Sequence, residues 1–160
     1  MDALSINKAE KIAKAARKSI SRFCFEDCKA YCCRKGYLNL APGNIELVTQ
    51  GRRKELEDKN IISKLSEFNY SLYLGNHDVY CPSLKDNKCI IHKSSKRPLA
   101  CKNFPLFLEG SNLRLSNRCL AVKNGLLFPY IHKLIKLGYK LLKTDSPIAF
   151  EFESFSKTGF

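Results

Sequence analysis

Eight of the 160 residues are cysteines, and their uneven spacing points to chemistry. Cys24, Cys28, Cys32 and Cys33 crowd one stretch, while Cys81, Cys89, Cys101 and Cys119 return from far along the chain. Thiols gathered from distant segments suit a metal, because zinc and iron–sulfur centres both take sets of thiolates. A set of seven or eight exceeds one four-ligand site. The surplus calls for two sites, or for one multinuclear site with bridging thiolates. The spacings fit neither a pair of zinc-ribbon knuckles nor the C-x2-C-x2-C run of bacterial ferredoxins, so the pattern alone does not choose the metal.

The adjacent pair sharpens the problem. If the first helix continues through this stretch, Cys24, Cys28 and Cys32 stand at i,i+4 spacing on one face, whereas Cys33 points roughly 100° away. Cys32 and Cys33 then serve one tetrahedral ion only where the helix ends over it, or else they belong to more than one centre.

The elements that must position these thiols follow from periodicity. Asn7 and Glu10 form a capping-box pattern, and Ala9, Ile12, Ala13, Ala16, Ile20 and Phe23 recur at helical spacing. They predict a basic N-terminal helix over about residues 7–27, whose other face carries Lys8, Lys11, Lys14, Arg17 and Lys18 as a solvated stripe. Asn44 is a candidate cap for a short helix through Val48 that stops at Gly51, and Arg52 to Asp58 mixes both charge signs like a solvated helix or loop. Tyr70 to Leu74 alternates as a strand entering a turn at Gly75-Asn76, and Leu113 to Leu115 is a further strand. Val79-Tyr80 and Cys89 to Ile91 are expected to pair across the intervening loop and so bring Cys81 to Cys89. Pro129 starts an amphipathic C-terminal helix over about 129–143, with Ile131, Leu134 and Ile135 on its apolar stripe and lysines beside it. Phe150 to Phe155 is a candidate edge strand or partner-binding tail. The expected fold is α+β and predominantly helical: one small metal-organised domain over residues 1–160, with short strands and irregular loops.

Composition limits the partners. Lys and Arg outnumber Asp and Glu by 28 to 15, for a formal charge of +13. That excess favours acidic proteins, nucleic acid or an anionic surface. Seven metal-bound thiolates would take +13 down to +6 before the metal adds its own charge, so the basic excess is a weaker clue than the count suggests. The N-terminus lacks the apolar run of a signal peptide and no stretch is long enough to span a membrane, which predicts a cytoplasmic protein whose thiols stay reduced. No phosphate-binding loop, nucleophile elbow or H-E-x-x-H motif is present, which disfavours conventional hydrolase chemistry and leaves enzymatic activity open.

Taken together, Cys28-x3-Cys32-Cys33, Cys81-Pro82, Cys89-Ile90-Ile91 and Arg97-Pro98-Leu99-Ala100-Cys101-Lys102-Asn103-Phe104-Pro105 resemble the YkgJ-like cysteine-cluster family of zinc- or iron-chelating domains. The family pattern is approximately C-x-x-x-C-C, C-P, C-x-I-Y and R-P-x-x-C-R-x-F-P, and the resemblance runs from about Cys28 to Cys119. It implies that Cys28, Cys32, Cys33, Cys81, Cys89 and Cys101 bind zinc or iron, with Cys119 as a later ligand and an iron–sulfur centre among the options. His92 stands where the family places Tyr, residues 92–96 lengthen the segment before Arg97, and Lys102 replaces Arg. Arg97 is a candidate hydrogen-bond donor to thiolates or to a carbonyl. Cys24 lies outside the quoted motif and is expected to pack in the core, and His92 is a minor candidate for a nitrogen ligand. His77 and His132 are weaker still. Two other roles compete with a functional metal centre: a zinc-structured module that binds nucleic acid or acidic protein, and a metal-dependent modifier related to the flagellin lysine methylases that such clusters accompany.

Overall fold

The computed structural model describes residues 2–75 and 79–142. The Asn76 side of the expected turn, His77, Lys143 and the segment from Phe150 to Phe155 lie outside the described residues. In chain order the elements are helices α1 (Ala3–Ser19) and α2 (Ser21–Glu26), a 3-10 turn (Tyr31–Arg34), strand β1 (Tyr37–Leu40), and helices α3 (Ile45–Thr49) and α4 (Arg53–Asp58). Strands β2 (Ile62–Ser66), β3 (Asn69–Tyr73), β4 (Leu84–Lys85) and β5 (Lys88–Cys89) follow. The chain continues with α5 (Leu99–Asn103), β6 (Leu106–Glu109), β7 (Asn112–Leu115), α6 (Leu120–Lys123), α7 (Phe128–Lys136) and β8 (Lys140–Leu141). The fold is mixed α+β, and helices do not plainly dominate it. The middle of the chain holds more strand than the expected Tyr70–Leu74 strand and Val79–Ile91 pairing, with β1 and β2 added on either side of β3.

These elements gather into two compact units. The first comprises described residues 2–29 and 103–142. Its long helix starts earlier than the Asn7 pattern suggests, because the Asp2 carboxylate accepts the Ser5 amide at 2.7 Å and supplies the cap. Ala9, Ala13 and Ala16 are wholly buried on one face of α1. Their methyl side chains let the helix backbone come close to the leucines of the same core, Leu106, Leu113, Leu127 and Leu134. Lys8, Lys11, Lys14 and Lys18 are exposed as expected, but Arg17 is not part of that stripe. Its guanidinium donates from Nε to the Asn103 carbonyl at 3.2 Å, and from Nη2 and Nε to the Leu106 carbonyl at 2.6 and 3.1 Å. Arg17 thus fixes α1 to the chain entering β6 with charge-assisted bonds.

Behind that helix, β6 and β7 pair antiparallel, and β8 joins β7 in parallel. Helix α7 has Pro in its first turn and stops at Leu137, one residue before Gly138 at φ 94°. Leu142, within the 129–143 bounds expected for the helix, instead donates its amide to the Leu113 carbonyl at 2.9 Å and extends the sheet.

The second unit comprises described residues 30–75 and 79–102. Its sheet has the order β1-β3-β2, antiparallel throughout, with Leu38, Leu40, Ile62 and Leu72 buried. Helix α3 follows Asn44, yet the Asn44 side chain makes no cap bond and its Nδ2 donates to the Lys96 carbonyl at 3.0 Å instead. Among the described residues no helix is long and apolar enough to cross a membrane.

The two faces of α7 give a direct test of this packing. Leu134 is wholly buried and Ile135 is 46% exposed. Leu134→Ala is expected to cost about 2–5 kcal/mol in chemical denaturation, and Ile135→Ala less than about 1 kcal/mol. Equal losses would mean that the helix is turned differently.

Candidate metal centre

The first four cysteines do not share a helix. Helix α2 ends at Glu26, and Lys29 and Ala30 both take the left-handed conformation, at φ 50° and 54°. Two such residues with side chains cost roughly 1–2 kcal/mol each, so the rest of the structure must hold them there. Part of that hold is visible: Ala30 is buried, and its carbonyl accepts the Cys33 amide at 2.9 Å. The reversal breaks the expected Cys24, Cys28 and Cys32 stripe. Cys24 and Cys28 belong to the first unit, whereas Cys32 and Cys33 ride on the 3-10 turn of the second.

Within the second unit, backbone bonds bring distant cysteines together. The Cys81 amide donates to the Cys33 carbonyl at 2.9 Å, and the Cys81 carbonyl accepts the Leu84 amide at 2.9 Å. Next, β4 and β5 form a hairpin with a two-residue turn at Asp86-Asn87, whose φ values of 47° and 61° are those of a type I′ turn. This pairing sets Leu84 opposite Cys89. The hairpin therefore lies inside the loop that was expected to separate two flanking strands, and Asp86-Asn87 is the turn signal that points to it. Cys101 sits on α5, one turn after the buried Pro98.

The electrostatics define the group. Burial pushes the Cys81 thiol above its ordinary pKa, and negative charge on Cys33, Cys101 and Cys89 would push it further, while the Ser83 backbone opposes the shift. Cys81 is 8% exposed. Burial also raises Cys89, and the Arg97 charge pulls it back down. Three other thiols are thus within electrostatic reach of Cys81, and one guanidinium is within reach of Cys89. Arg97 Nε is buried and has no hydrogen-bond partner among the described residues. A donor left unused beside a set of potential anions suits a centre that carries negative charge when loaded.

His92 takes part through that arginine. Its Nδ1 lies 3.0 Å from Arg97 Nη1. A guanidinium can only donate, so Nδ1 accepts and the neutral ring carries its proton on Nε2. Burial and the charges of Arg97 and Lys93 lower the His92 pKa and favour this neutral form. While the contact lasts, neither ring nitrogen offers a lone pair to a metal.

The first unit holds a separate pair. Cys119 is 7% exposed and begins α6. Its thiol is raised by burial, lowered by the backbone amides of Val122 and Ala121, and raised again by charge on Cys28. Cys24 is half-buried on α2. All eight cysteines are thiols, divided as Cys24, Cys28 and Cys119 in one unit and Cys32, Cys33, Cys81, Cys89 and Cys101 in the other. Among the described residues no three His, Cys, Asp or Glu side chains yet converge as a finished metal cage.

A mixed α+β chain that brings reduced thiols from separate turns and short elements within electrostatic reach of a buried one has the make-up of a cysteine-ligated metal-binding protein. The chain belongs to the CxxCxxCC family, described as "Putative zinc- or iron-chelating domain", whose model matches residues 23–120. The match takes in all eight cysteines, Cys24 included. No curated protein and no solved structure matches the chain.

Thiol reactivity reads this electrostatic order directly, since only the thiolate is alkylated. In reduced, metal-stripped protein at pH 8, iodoacetamide is expected to modify Cys81 more slowly than Cys89, as followed by peptide mass spectrometry. Removing the Arg97 charge in Arg97→Gln raises the Cys89 pKa, lowers its thiolate fraction and slows its alkylation, with Cys81 little affected. Unchanged Cys89 kinetics would separate Arg97 from the thiol.

Proposed function

We propose that this chain binds zinc or iron through its cysteines, with Cys33, Cys81, Cys89 and Cys101 as the principal set. Cys28, Cys32 and Cys119 add further ligands. The supporting observation is Cys81: a buried thiol within reach of the charge of three others, which a divalent cation can relieve by replacing their protons. Four thiolates around one divalent ion leave a net negative charge, and Arg97 supplies a positive group beside Cys89. Among the described residues no three of these side chains are grouped closely enough to hold an ion, so loading requires rearrangement that includes rotation of cysteine side chains, each governed by a single χ1 torsion. Such a centre needs a reducing compartment, in keeping with a cytoplasmic location. With five thiols in one unit, four of them the principal set, and a Cys28–Cys119 pair in the other, more than one metal ion per chain is the natural count.

Anaerobic purification followed by elemental analysis and an absorption spectrum tests the proposal. The expected result is at least one equivalent of zinc or iron, with visible absorption only if an iron–sulfur centre forms. Cys81→Ser is expected to lose about half of the metal or more, while Cys24→Ser retains it. Chelation should lower the thermal midpoint, because ordering the ligands is part of folding. A folded, reduced protein that takes up no metal on reconstitution would overturn the reading.

A further inference from the structure

A cleft of about 500 Å³ opens in the second unit beside the Cys81–Cys89 segment. Its size suits a small molecule. Leu56 and Leu84, both 4% exposed, form its floor together with Ile61 and Pro82. Tyr80, 43% exposed as a residue, also lines the cleft, and the Arg34 guanidinium lies over its ring, 5.2 Å from the centre. An aromatic wall over an aliphatic floor offers a slot for a flat apolar body.

The rim has the opposite character. Arg52, Lys59 and Lys85 line it, with Glu55 as the acidic member. Arg52 donates from Nε and Nη2 to the Glu55 carboxylate at 2.8 and 2.9 Å, and Lys59 Nζ lies 2.8 Å from it. These two partners hold the Glu55 carboxyl at a pKa of about 2, so it is ionised at neutral pH. The carboxylate acts here as a brace. It fixes two cations at the mouth while each keeps further N–H donors, since a guanidinium carries five and an ammonium three. Among the described residues Lys85 enters no ion pair. Three cations against one anion leave the rim with a formal charge of +2.

We propose that this cleft binds an aromatic phosphate monoester, its ring between Tyr80 and the Leu56–Leu84 floor and its phosphate at Arg52, Lys59 and Lys85. A phosphate monoester carries about −1.5 to −2 at pH 7, which matches the rim; a carboxylate carries half as much. The apolar floor separates this ligand from inorganic phosphate, and the cations separate it from a neutral aromatic. None of the eight cysteines lines this cleft, although Tyr80 and Pro82 flank Cys81 in the chain.

The test is a titration of the purified chain, with its metal content measured, against three probes: phenyl phosphate, inorganic phosphate and phenol, followed by amide NMR shifts. Saturable shifts at Tyr80, Leu84 and Lys85 are expected with phenyl phosphate, with an affinity about tenfold or more above either other probe. Lys85→Glu should weaken binding by about tenfold or more without changing the fold or the metal content, since Lys85 is exposed. Lys59→Gln should weaken it as well. Equal affinity for inorganic phosphate would reduce the site to a charged patch and overturn the proposal. Shifts centred on Cys33 and Cys101 with none at Lys59 or Lys85, or an unaffected Lys85→Glu variant, would also overturn it.

Discussion

The constraint on which this structure turns is the cost of placing several ionisable thiols side by side under partial burial. Each one removed from water resists ionisation, and each neighbour that ionises makes the next more difficult. Cys81 shows both effects, because burial is the first cause of its raised pKa and the charges of Cys33, Cys101 and Cys89 add to it. A protein with no use for thiolates can avoid the conflict by substituting small apolar residues. This chain keeps three other thiols within electrostatic reach of Cys81 and sets a guanidinium with an unused buried Nε within reach of Cys89. Those features make sense together if the protons are exchanged for a cation.

The scaffold meets this demand with backbone more than with a hydrophobic core. Cys33 and Cys81 are joined by a main-chain hydrogen bond. Cys89 closes a six-residue hairpin, and Cys101 rides on a helix of five residues. Ser83, between the cysteine segments, is wholly buried and its hydroxyl donates to the Val48 carbonyl at 2.8 Å, tying the Cys81 loop to the end of α3. Short elements of this kind are marginal alone, since they bury little apolar surface per ordered residue. A bound metal would therefore contribute to the stability of the second unit in a way that the alanine-faced helix and leucine core of the first do not require.

Much of this was legible in the sequence where the signal was local and periodic. The long first helix, the short helix after Asn44, the strand ending at Tyr73, the Leu113 strand and the Pro-started helix all rest on apolar spacing or on a residue with one preferred backbone role. Arg17 was not legible as a structural residue. At the sequence level it is one more cation on a basic stripe, and its role exists only because the Asn103 and Leu106 carbonyls arrive from far along the chain. Long-range satisfaction of carbonyls leaves no periodic trace.

The least legible feature is the reversal at Lys29-Ala30, and it matters most for the cysteines. Cys28-Lys29-Ala30-Tyr31-Cys32 has no glycine, asparagine or proline to announce a left-handed turn, and its residues favour a continuing helix. A continuing helix would have lined up Cys24, Cys28 and Cys32 and left Cys33 aside. The observed turn does the reverse: it leaves Cys28 in the unit of Cys119 and carries Cys33 to Cys81. The adjacent Cys32-Cys33 pair follows from this arrangement. On a 3-10 turn successive side chains diverge by about 120°, so two neighbouring thiols face different directions by construction. One residue of the pair, Cys33, is joined through its carbonyl to the Cys81 amide, and the turn sets its neighbour Cys32 at a different angle about the same axis.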